Sequence, residues 1–386
     1  MLCVADPPSD VSILGCNELI KQGASLVLNS RQSKMPVGND LWVKGTVEAV
    51  KWAVGAGLPV IASIGMNTWE LVLWAIGEYR GDGMVLCPPV SEGEWEKWIG
   101  KVAEDFRLGS CNLAWVFISQ RAKGRGKKSW WEERDRLAFE LARFLVPVSV
   151  REAGRWDRLL SSFTGDRIVN RDFQVRYSER KESYKGYFRM EEIIRERGRW
   201  EYFTHWTRRW YGPWPGEASA DYYEAVVSSG DEYPRSAFRT LERIIVEGRI
   251  RASGRHIRGG VPAVSFTSLE PCEAIKLMRW RKRYVMPTFE PYGIAVKRGA
   301  RASQGIFPVR YVQSKDKVED DEPTLIQGYG KWEWRKEAEW RSVGDFDLSG
   351  LESYEALILV PNREEAEALR GISRFPVVSL FSQENL

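Results

Sequence analysis

The chain has 386 residues, of which 43% are hydrophobic and 28% charged, with a formal net charge of +4. This balance is typical of a soluble globular protein, and the mildly basic charge does not by itself require a nucleic-acid partner. A chain of this length exceeds one ordinary hydrophobic core, so we expect two domains.

The distribution of cysteines and the hydropathy of the chain indicate where in the cell the protein is expected. The five cysteines are scattered and include no Cys-x-x-Cys pair, so we expect neither a metal site nor a disulfide framework. No signal peptide is visible, and no apolar run is long enough to span a membrane. These features predict a cytoplasmic protein without a membrane partner. The cysteines are Cys3, Cys16, Cys87, Cys111 and Cys272.

The first 150 residues alternate short apolar runs with amphipathic segments. The apolar runs predict strands at 24–29, 58–64, 84–87, 113–118 and 145–150. The segments between them predict helices at 17–23, 41–56, 68–79, 92–106 and 131–143. Strands that alternate with single helices indicate βαβ units, and therefore a Rossmann-like α/β domain with a mainly parallel sheet.

Polar residues follow the first two of these strands, at the edge where such sheets bind ligands. Hydroxyl, guanidinium and ammonium groups suit phosphate, and Asn67 is placed to cap a helix whose free N–H groups attract anions. Ordinary loop and cap chemistry is an equally weighted alternative. The predicted nucleotide-sensing residues are Ser30, Arg31, Lys34, Asn67 and Thr68.

The run Ile13–Val27 and two similar half-units ending at 58–65 and 145–154 carry a family resemblance. Residues 10–160 resemble the SLOG superfamily of Rossmann-like nucleotide-binding domains, which includes DNA-processing protein A and the lysine-decarboxylase-like cytokinin-activating enzymes. The Pro-Gly-Gly-x-Gly-Thr-x-x-Glu signature of the hydrolytic members is absent, and Lys44–Glu48 carries its glutamate one position early. The resemblance therefore implies nucleotide binding or sensing rather than hydrolysis.

The pattern changes after residue 160, which predicts a first domain over 1–165, a linker over 166–199 and an α+β domain over 200–386. In the last of these, periodicity predicts helices at 234–247, 271–281 and 363–370. Strands are predicted at 263–268, 292–297, 307–312, 339–343, 356–360 and 375–381.

Three stretches of the second domain carry polar groups that could act together. The run Tyr202–Arg209 reads as a strand with His205 and Thr207 on one face, followed by Arg208. Val264–Ser268 is a second strand, and on a third strand Glu337, Glu339 and Arg341 would share a face opposite Trp340. Taken separately, a core histidine and cross-strand ion pairs are the alternatives.

The order of these stretches, over residues 200–362, resembles the ADP-ribosyltransferase superfamily, including DNA-targeting toxins and AbiGi-type abortive-infection proteins. The resemblance implies NAD as cofactor, with His205, Thr207 and Arg208 on its adenosine side and Ser265, Phe266 and Thr267 near the nicotinamide. It implies that Glu339 binds the nicotinamide-ribose hydroxyl, with Glu337 as its competitor or as the group that orients an acceptor. The middle strand carries Phe266 where a stacking tyrosine is expected.

The run Met278–Tyr284 interleaves basic and aromatic residues, a pattern that suits single-stranded nucleic acid. A solvated helix end is the alternative. The predicted nucleic-acid contacts are Arg279, Arg281, Lys282 and Arg283.

Three hypotheses follow. The first is an ADP-ribosyltransferase or NAD glycohydrolase, controlled by a nucleotide-sensing domain as in bacterial or phage defence, with a nucleotide ligand and a nucleic-acid or protein acceptor. The second is a DNA-processing-like nucleic-acid-binding protein without catalysis, and the third a non-catalytic nucleotide-binding protein. The first hypothesis predicts that His205, Ser265 and Glu339 line one pocket.

Overall fold

A computed structural model describes residues 11–118, 127–162, 166–178, 200–254, 257, 260–281, 286–313, 325–329 and 334–381. The chain divides into two compact units. The first comprises Met1–Lys181 and Tyr211–Pro234, and the second comprises Glu182–Trp210 and Arg235–Leu386. The segment 211–234, which the sequence analysis placed in the second domain, therefore belongs to the first unit.

Seven described strands form the sheet of the first unit. They are β1 (Val11–Gly15), β2 (Ala24–Asn29), β3 (Val60–Ser63), β4 (Gly83–Cys87), β5 (Leu113–Ile118), β6 (Ala142–Ser149) and β7 (Ile168–Val169). Their order is β1-β5-β4-β3-β2-β6-β7, and every pair is parallel except β1 with β5. The mainly parallel, Rossmann-like sheet predicted from the sequence is therefore confirmed, with the antiparallel β1 at its edge as an addition.

Helices cover both faces of this sheet, because its strands are apolar on both sides. They are α1 (Glu18–Gln22), α2 (Leu41–Gly55), α3 (Asn67–Glu78), α4 (Trp95–Asp105), α5 (Lys127–Leu141) and α6 (Arg155–Ser161). Side chains of α2, α3 and α4 pack in one core on one face, and those of α1, α5 and α6 in another. The strand order reverses direction between β2 and β6, the point where sheets of this class bind ligands.

The segment 211–234 packs on the first unit through α7 (Ser219–Ser228). Tyr223 is 1% exposed in the first core and donates its hydroxyl to Glu70 Oε2 at 2.7 Å. The backbone N–H of Gly38 donates to Ser229 Oγ at 2.9 Å. The segment is thus fixed to the loop that follows β2 and to helix α3.

The second unit contains three described α-helices: α8 (Ala237–Glu247), α9 (Pro271–Lys276) and α10 (Arg363–Arg370). Its described strands are β8 (Tyr202–Trp206), β9 (Arg249–Ile250), β10 (Ala263–Thr267), β11 (Trp280–Arg281), β12 (Met286–Pro287), β13 (Gly293–Lys297), β14 (Phe307–Pro308), β15 (Arg310–Gln313), β16 (Ile326–Tyr329), β17 (Glu339–Val343), β18 (Phe346–Asp347), β19 (Ala356–Val360) and β20 (Val377–Ser379). Seven of them form a sheet in the order β14-β17-β10-β8-β13-β19-β20.

This second sheet is antiparallel except for the pair β19–β20. Strand alternation divides its side chains between two hydrophobic clusters. Phe203 and Phe266 lie in the larger cluster, and Ala295 and Leu359 lie in the smaller one on the other face. The functional groups described below sit where β17, β10 and β8 lie side by side.

The predicted bounds of two elements in this unit are wrong. The helix predicted over 271–281 ends at Lys276, and the chain continues into the hairpin β11–β12. The strand predicted over 307–312 divides into β14 and β15, which pair with different partners, β17 and β16. Lys282 and Arg283 lie outside the described residues.

None of the helices in the described part of the chain combines the length and the apolar composition needed to cross a membrane.

The packing of segment 211–234 predicts that position 38 must be glycine. A Cβ at Gly38 would lie 1.8 Å from the Ser229 carbonyl oxygen and 2.7 Å from that of Val227. We expect Gly38→Ala to lower the free energy of unfolding by about 1–3 kcal/mol, because backbone must move to make room. Chemical denaturation measures this change.

Gly55 offers a matched control in the same unit. It ends α2, and a Cβ there would meet no atom within 4 Å. Gly55→Ala should leave the stability unchanged or raise it by up to about 1 kcal/mol, since alanine favours the helix. Equal effects of the two substitutions would contradict the described docking.

Candidate active site

Three neighbouring strands bring the candidate residues of the second unit together. Thr267 of β10 pairs with Glu339 of β17 on one side and with Thr204 of β8 on the other. Residues opposite one another in a sheet point to the same face. These three side chains therefore form a row across the sheet, on the face of the smaller cluster.

The Glu339 carboxylate is held by three donors. Oε1 accepts from Ser265 Oγ at 2.8 Å and from Arg341 Nε at 2.9 Å. Oε2 lies 3.3 Å from the hydroxyl of Tyr311, which donates to it. A carboxylate offers about four lone-pair sites, so one acceptor position of Oε2 stays available to a ligand.

Arg341 holds the Glu339 carboxylate in place through an ion pair. Its side chain is 3% exposed, and its second donor goes to Gln327 Oε1 at 2.8 Å. Removing one partner of such a buried pair costs about 3–5 kcal/mol, because the other charge is then left uncompensated. The orientation of Glu339 therefore depends on a buried guanidinium that both β16 and β17 hold in place.

Glu337 does not share a strand face with Glu339, which corrects the sequence prediction. It ends a 3₁₀ helix, Trp334–Glu337, and Ala338 then adopts a left-handed conformation with φ of 42° before β17 begins. The change of backbone direction breaks the two-residue repeat on which the prediction rested. Thr267 Oγ1 donates to the Glu337 carbonyl at 2.6 Å and holds this turn against β10.

Burial raises the pKa of Glu337 to about 7, and the negative charge of Glu339 adds to this effect. Arg281 and Arg279 act in the opposite direction. A carboxyl group with this pKa exchanges a proton near neutral pH, as acid–base catalysis requires. The two glutamates thus lie in different environments: Glu339 accepts several hydrogen bonds, whereas Glu337 is desolvated.

Arg279 and Arg281 are placed differently from the prediction. They belong to the hairpin that follows α9, and their charges act on Glu337. Because β11 replaces the predicted helix end, Arg279 and Arg281 do not lie on a helix. The two arginines instead contribute positive potential beside the candidate carboxylates.

His205 reaches Ser265 through the backbone. Its Nδ1 lies 2.8 Å from the Ser265 carbonyl oxygen, so Nδ1–H donates and Nε2 is the acceptor of the neutral ring. Burial lowers the pKa of His205. By strand alternation its side chain starts on the face opposite to Thr204, where its ring meets the edge of Phe266.

The structure does not bring the remaining predicted cofactor residues to this row. Thr207 is 3% exposed and donates to the carbonyls of Tyr292 and Ala237, and Phe266 is 3% exposed in the larger cluster. Arg208 Nη1 donates to the Thr288 carbonyl at 3.4 Å. Phe266 cannot stack on a ligand from the core, because alternation turns it away from Ser265 and Thr267.

The sequence analysis missed two residues of the site. Tyr311 and Gln327 come from β15 and β16, which pair in parallel across a long connection. No local pattern relates such strands to Glu339, because their contact is set by pairing between distant parts of the chain.

In the first unit, the predicted nucleotide-sensing residues lie in the loop after β2 and in the first turn of α3. Ser30 Oγ accepts the backbone N–H of Arg151 at 2.9 Å, which joins the loops after β2 and β6. Arg31 is exposed, and the Lys34 ammonium lies 5.4 Å from the centre of the Tyr211 ring. These groups surround the point where the strand order reverses.

Asn67 does not cap α3, which corrects a second prediction. It is the first helical residue, and its side chain donates to the Ser33 carbonyl at 2.6 Å. Glu70 accepts the N–H of Gly65 instead, at 2.8 Å. Thr68 is 4% exposed, and its hydroxyl has no hydrogen-bond partner.

One group of described residues has donor atoms spaced for a metal ion. The ligand atoms of Glu270, Cys272 and Glu273 lie within 4.8 Å of one another. Burial and the Glu270 carboxylate raise the pKa of the Cys272 thiol to about 11, and the thiol donates to Glu270 Oε1 at 2.9 Å. A protonated thiol is a poor metal ligand, so these residues do not build a convincing cation site.

Comparison with known proteins gives structural neighbours but no family. No family model matches the chain, and no curated protein matches it. DNA processing protein A from Helicobacter pylori, whose single-stranded DNA binding mode has been described, is similar at a TM-score of 0.27 and 13% identity, over 37% of this chain and 62% of that one. DNA processing protein A from Streptococcus pneumoniae is similar at a TM-score of 0.30 and 12% identity, over 41% and 53%.

The environment of Glu337 predicts a pH-dependent stability. The folded pKa of about 7 exceeds the ordinary value of 4.5, so the folded protein keeps this proton after the unfolded chain has lost it. Stability from this group therefore falls between pH 4.5 and 7 and is constant above pH 7. In Glu337→Gln this fall should disappear, so the variant gains about 3 kcal/mol over wild type across that interval.

Denaturant unfolding at a series of pH values measures this difference. Glu352→Gln is the matched control, because Glu352 is exposed. If the difference in the free energy of unfolding between wild type and Glu337→Gln did not change with pH, this would contradict the described burial of Glu337.

Proposed function

We propose that the second unit uses NAD, either transferring ADP-ribose to an acceptor or hydrolysing NAD. The observation that carries the proposal is the braced Glu339 carboxylate, which keeps one free acceptor position beside a second carboxyl group with a pKa of about 7. Two carboxyl groups in contrasting environments are typical of sites that cleave glycosidic bonds.

Glu339 has the chemistry to stabilise the bond-breaking step. Cleavage of the nicotinamide–ribose bond leaves positive charge on the sugar, while the electron pair leaves with nicotinamide. A fixed carboxylate stabilises that charge, and its Oε2 can also accept a ribose hydroxyl. Its three donors limit reorganisation during the reaction, since they hold the group in one orientation.

Glu337 is the candidate general base. The acceptor, water or a nucleophilic side chain or base, forms the new bond to the sugar and must lose a proton. Glu337 in its ionised form can take that proton, and its pKa of about 7 leaves it a base at neutral pH and above. Arg279 and Arg281 favour the ionised form.

His205 is left out of this proposal, because strand alternation puts its ring on the opposite face of the sheet from Ser265 and Glu339, against Phe266, so the three predicted residues do not line one face. Its Nδ1–H donates to the Ser265 carbonyl. The bond to Ser265 also links the position of this ring to the strand that positions Glu339.

The first unit is proposed to bind a nucleotide at the loops after β2, β3 and β6. This part of the proposal is supported by the reversal of strand order between β2 and β6 and by the hydroxyl and basic groups gathered there. Segment 211–234, which leaves the second unit after β8 and returns at α8, contacts the loop after β2 and helix α3. It offers a route by which a bound nucleotide could regulate the NAD site.

Glu339→Gln should lower NAD turnover at least 100-fold, because the neutral amide cannot stabilise positive charge on the sugar. Release of nicotinamide from NAD by the full-length protein measures this, with Glu352→Gln as a control that keeps wild-type activity. Circular dichroism of both variants separates a chemical effect from loss of fold.

If Glu339→Gln still turned over NAD, the proposed catalytic role of Glu339 would be wrong. Absence of turnover by the wild type with any acceptor would overturn the enzymatic proposal. The nucleic-acid alternative would then be tested by salt-dependent binding of single-stranded DNA that weakens when Arg279 and Arg281 become alanine.

The pH dependence of kcat/KM tests the role of Glu337. If Glu337 is the base, the wild-type value should rise about tenfold per pH unit below pH 7 and level off above it. In Glu337→Gln the rate should be lower and this rise should be absent. An unchanged acid limb in the variant would assign the base to another group.

A further inference from the structure

The parallel pair β15–β16 brings two polar side chains to the Glu339 carboxylate. Tyr311 and Gln327 lie directly opposite each other in this two-stranded sheet. The Tyr311 hydroxyl lies 3.3 Å from Glu339 Oε2, and Gln327 Oε1 accepts from Arg341 Nη2 at 2.8 Å. Since Arg341 Nε donates to Glu339 Oε1 at 2.9 Å, one pair of opposed residues acts on both oxygens of the same carboxylate.

The two oxygens of Glu339 are held unequally. Oε1 accepts from Ser265 Oγ at 2.8 Å and from Arg341 Nε at 2.9 Å, whereas Oε2 has the Tyr311 hydroxyl at 3.3 Å. A hydrogen bond from a hydroxyl to a carboxylate is normally about 2.5–2.7 Å long, so the bond from Tyr311 is a weak one. Oε1 is therefore anchored, while Oε2 is oriented but keeps most of its capacity to accept from a substrate.

The side chain at position 327 has the chemistry that this arrangement requires. A guanidinium has no acceptor, so the amide oxygen of Gln327 must be the atom that faces Arg341. This neutral oxygen satisfies a buried donor without placing another negative charge beside Glu339. A carboxylate at position 327 would instead compete with Glu339 for the same guanidinium.

We infer that Tyr311 and Gln327 are positioning residues of the proposed reaction, which together orient the Glu339 carboxylate through its two oxygens. The inference rests on the proposed function. A displacement of about 1 Å in a reacting group can lower a rate by about 100-fold. Because the two residues act on the substrate through Glu339, their loss should lower kcat more than it raises KM.

Tyr311→Phe and Gln327→Met test this inference in the full-length protein. Each substitution keeps the size of the side chain and removes the group that forms the hydrogen bond. Release of nicotinamide from NAD should show kcat lowered about tenfold in each variant, with KM within about twofold of wild type. The double variant should lose clearly less than the product of the two single losses, because both residues act on one carboxylate.

Two substitutions of the same kind away from Glu339 serve as matched controls. The Tyr292 hydroxyl donates to Glu365 Oε1 at 2.8 Å in the second unit, and Gln174 Oε1 accepts from Arg171 Nη1 at 2.9 Å in the first. Tyr292→Phe and Gln174→Met therefore remove a tyrosine–glutamate bond and a glutamine–arginine bond. Both controls should keep the wild-type kcat.

The outcomes separate this inference from the proposed function. Wild-type kcat in either Tyr311→Phe or Gln327→Met, the same losses in the controls, or losses that multiply in the double variant would overturn the inference. A large loss in Glu339→Gln alongside any of these results would leave the proposed function intact. Absence of NAD turnover by the wild-type protein would overturn both.

Discussion

The candidate site depends on one interaction, the pairing of the buried Arg341 guanidinium with the Glu339 carboxylate. A cation that is 3% exposed has lost its hydration, so it requires an anion at bonding distance and further acceptors for its remaining donors. Glu339 and Gln327 supply them. The same requirement fixes the carboxylate, and Ser265 completes the arrangement from the neighbouring strand.

Two glutamates separated by one residue acquire different chemistry because the backbone turns between them. The left-handed Ala338 ends a 3₁₀ helix and begins β17, so Glu339 enters the hydrogen-bonded row while Glu337 is desolvated beside it. Burial and the neighbouring charge then raise the pKa of Glu337 to about 7. Sites that break glycosidic bonds divide labour between carboxyl groups by the same physical means.

Segment 211–234 relates the two halves of the chain through connectivity. It interrupts the second unit between β8, which carries His205 and Trp206, and α8, yet its own core residues belong to the first unit. The N–H of Trp210 donates to the Arg235 carbonyl at 2.9 Å, so the chain leaves and returns at neighbouring points. The contacts of the segment with Gly38 and Glu70 lie within the first unit.

The sequence by itself determined the parallel sheet of the first unit, because continuous apolar runs such as 24–29 and 113–118 are typical of strands that are buried on both faces. It also located β10, β17 and β19, whose local patterns are strong. Tertiary structure alone decided that Glu337 leaves the strand, that Phe266 faces the core, and that α9 ends early, since pairing and burial override local periodicity. Tyr311 and Gln327 join the site through contacts between residues far apart in the chain, which no short window of sequence records.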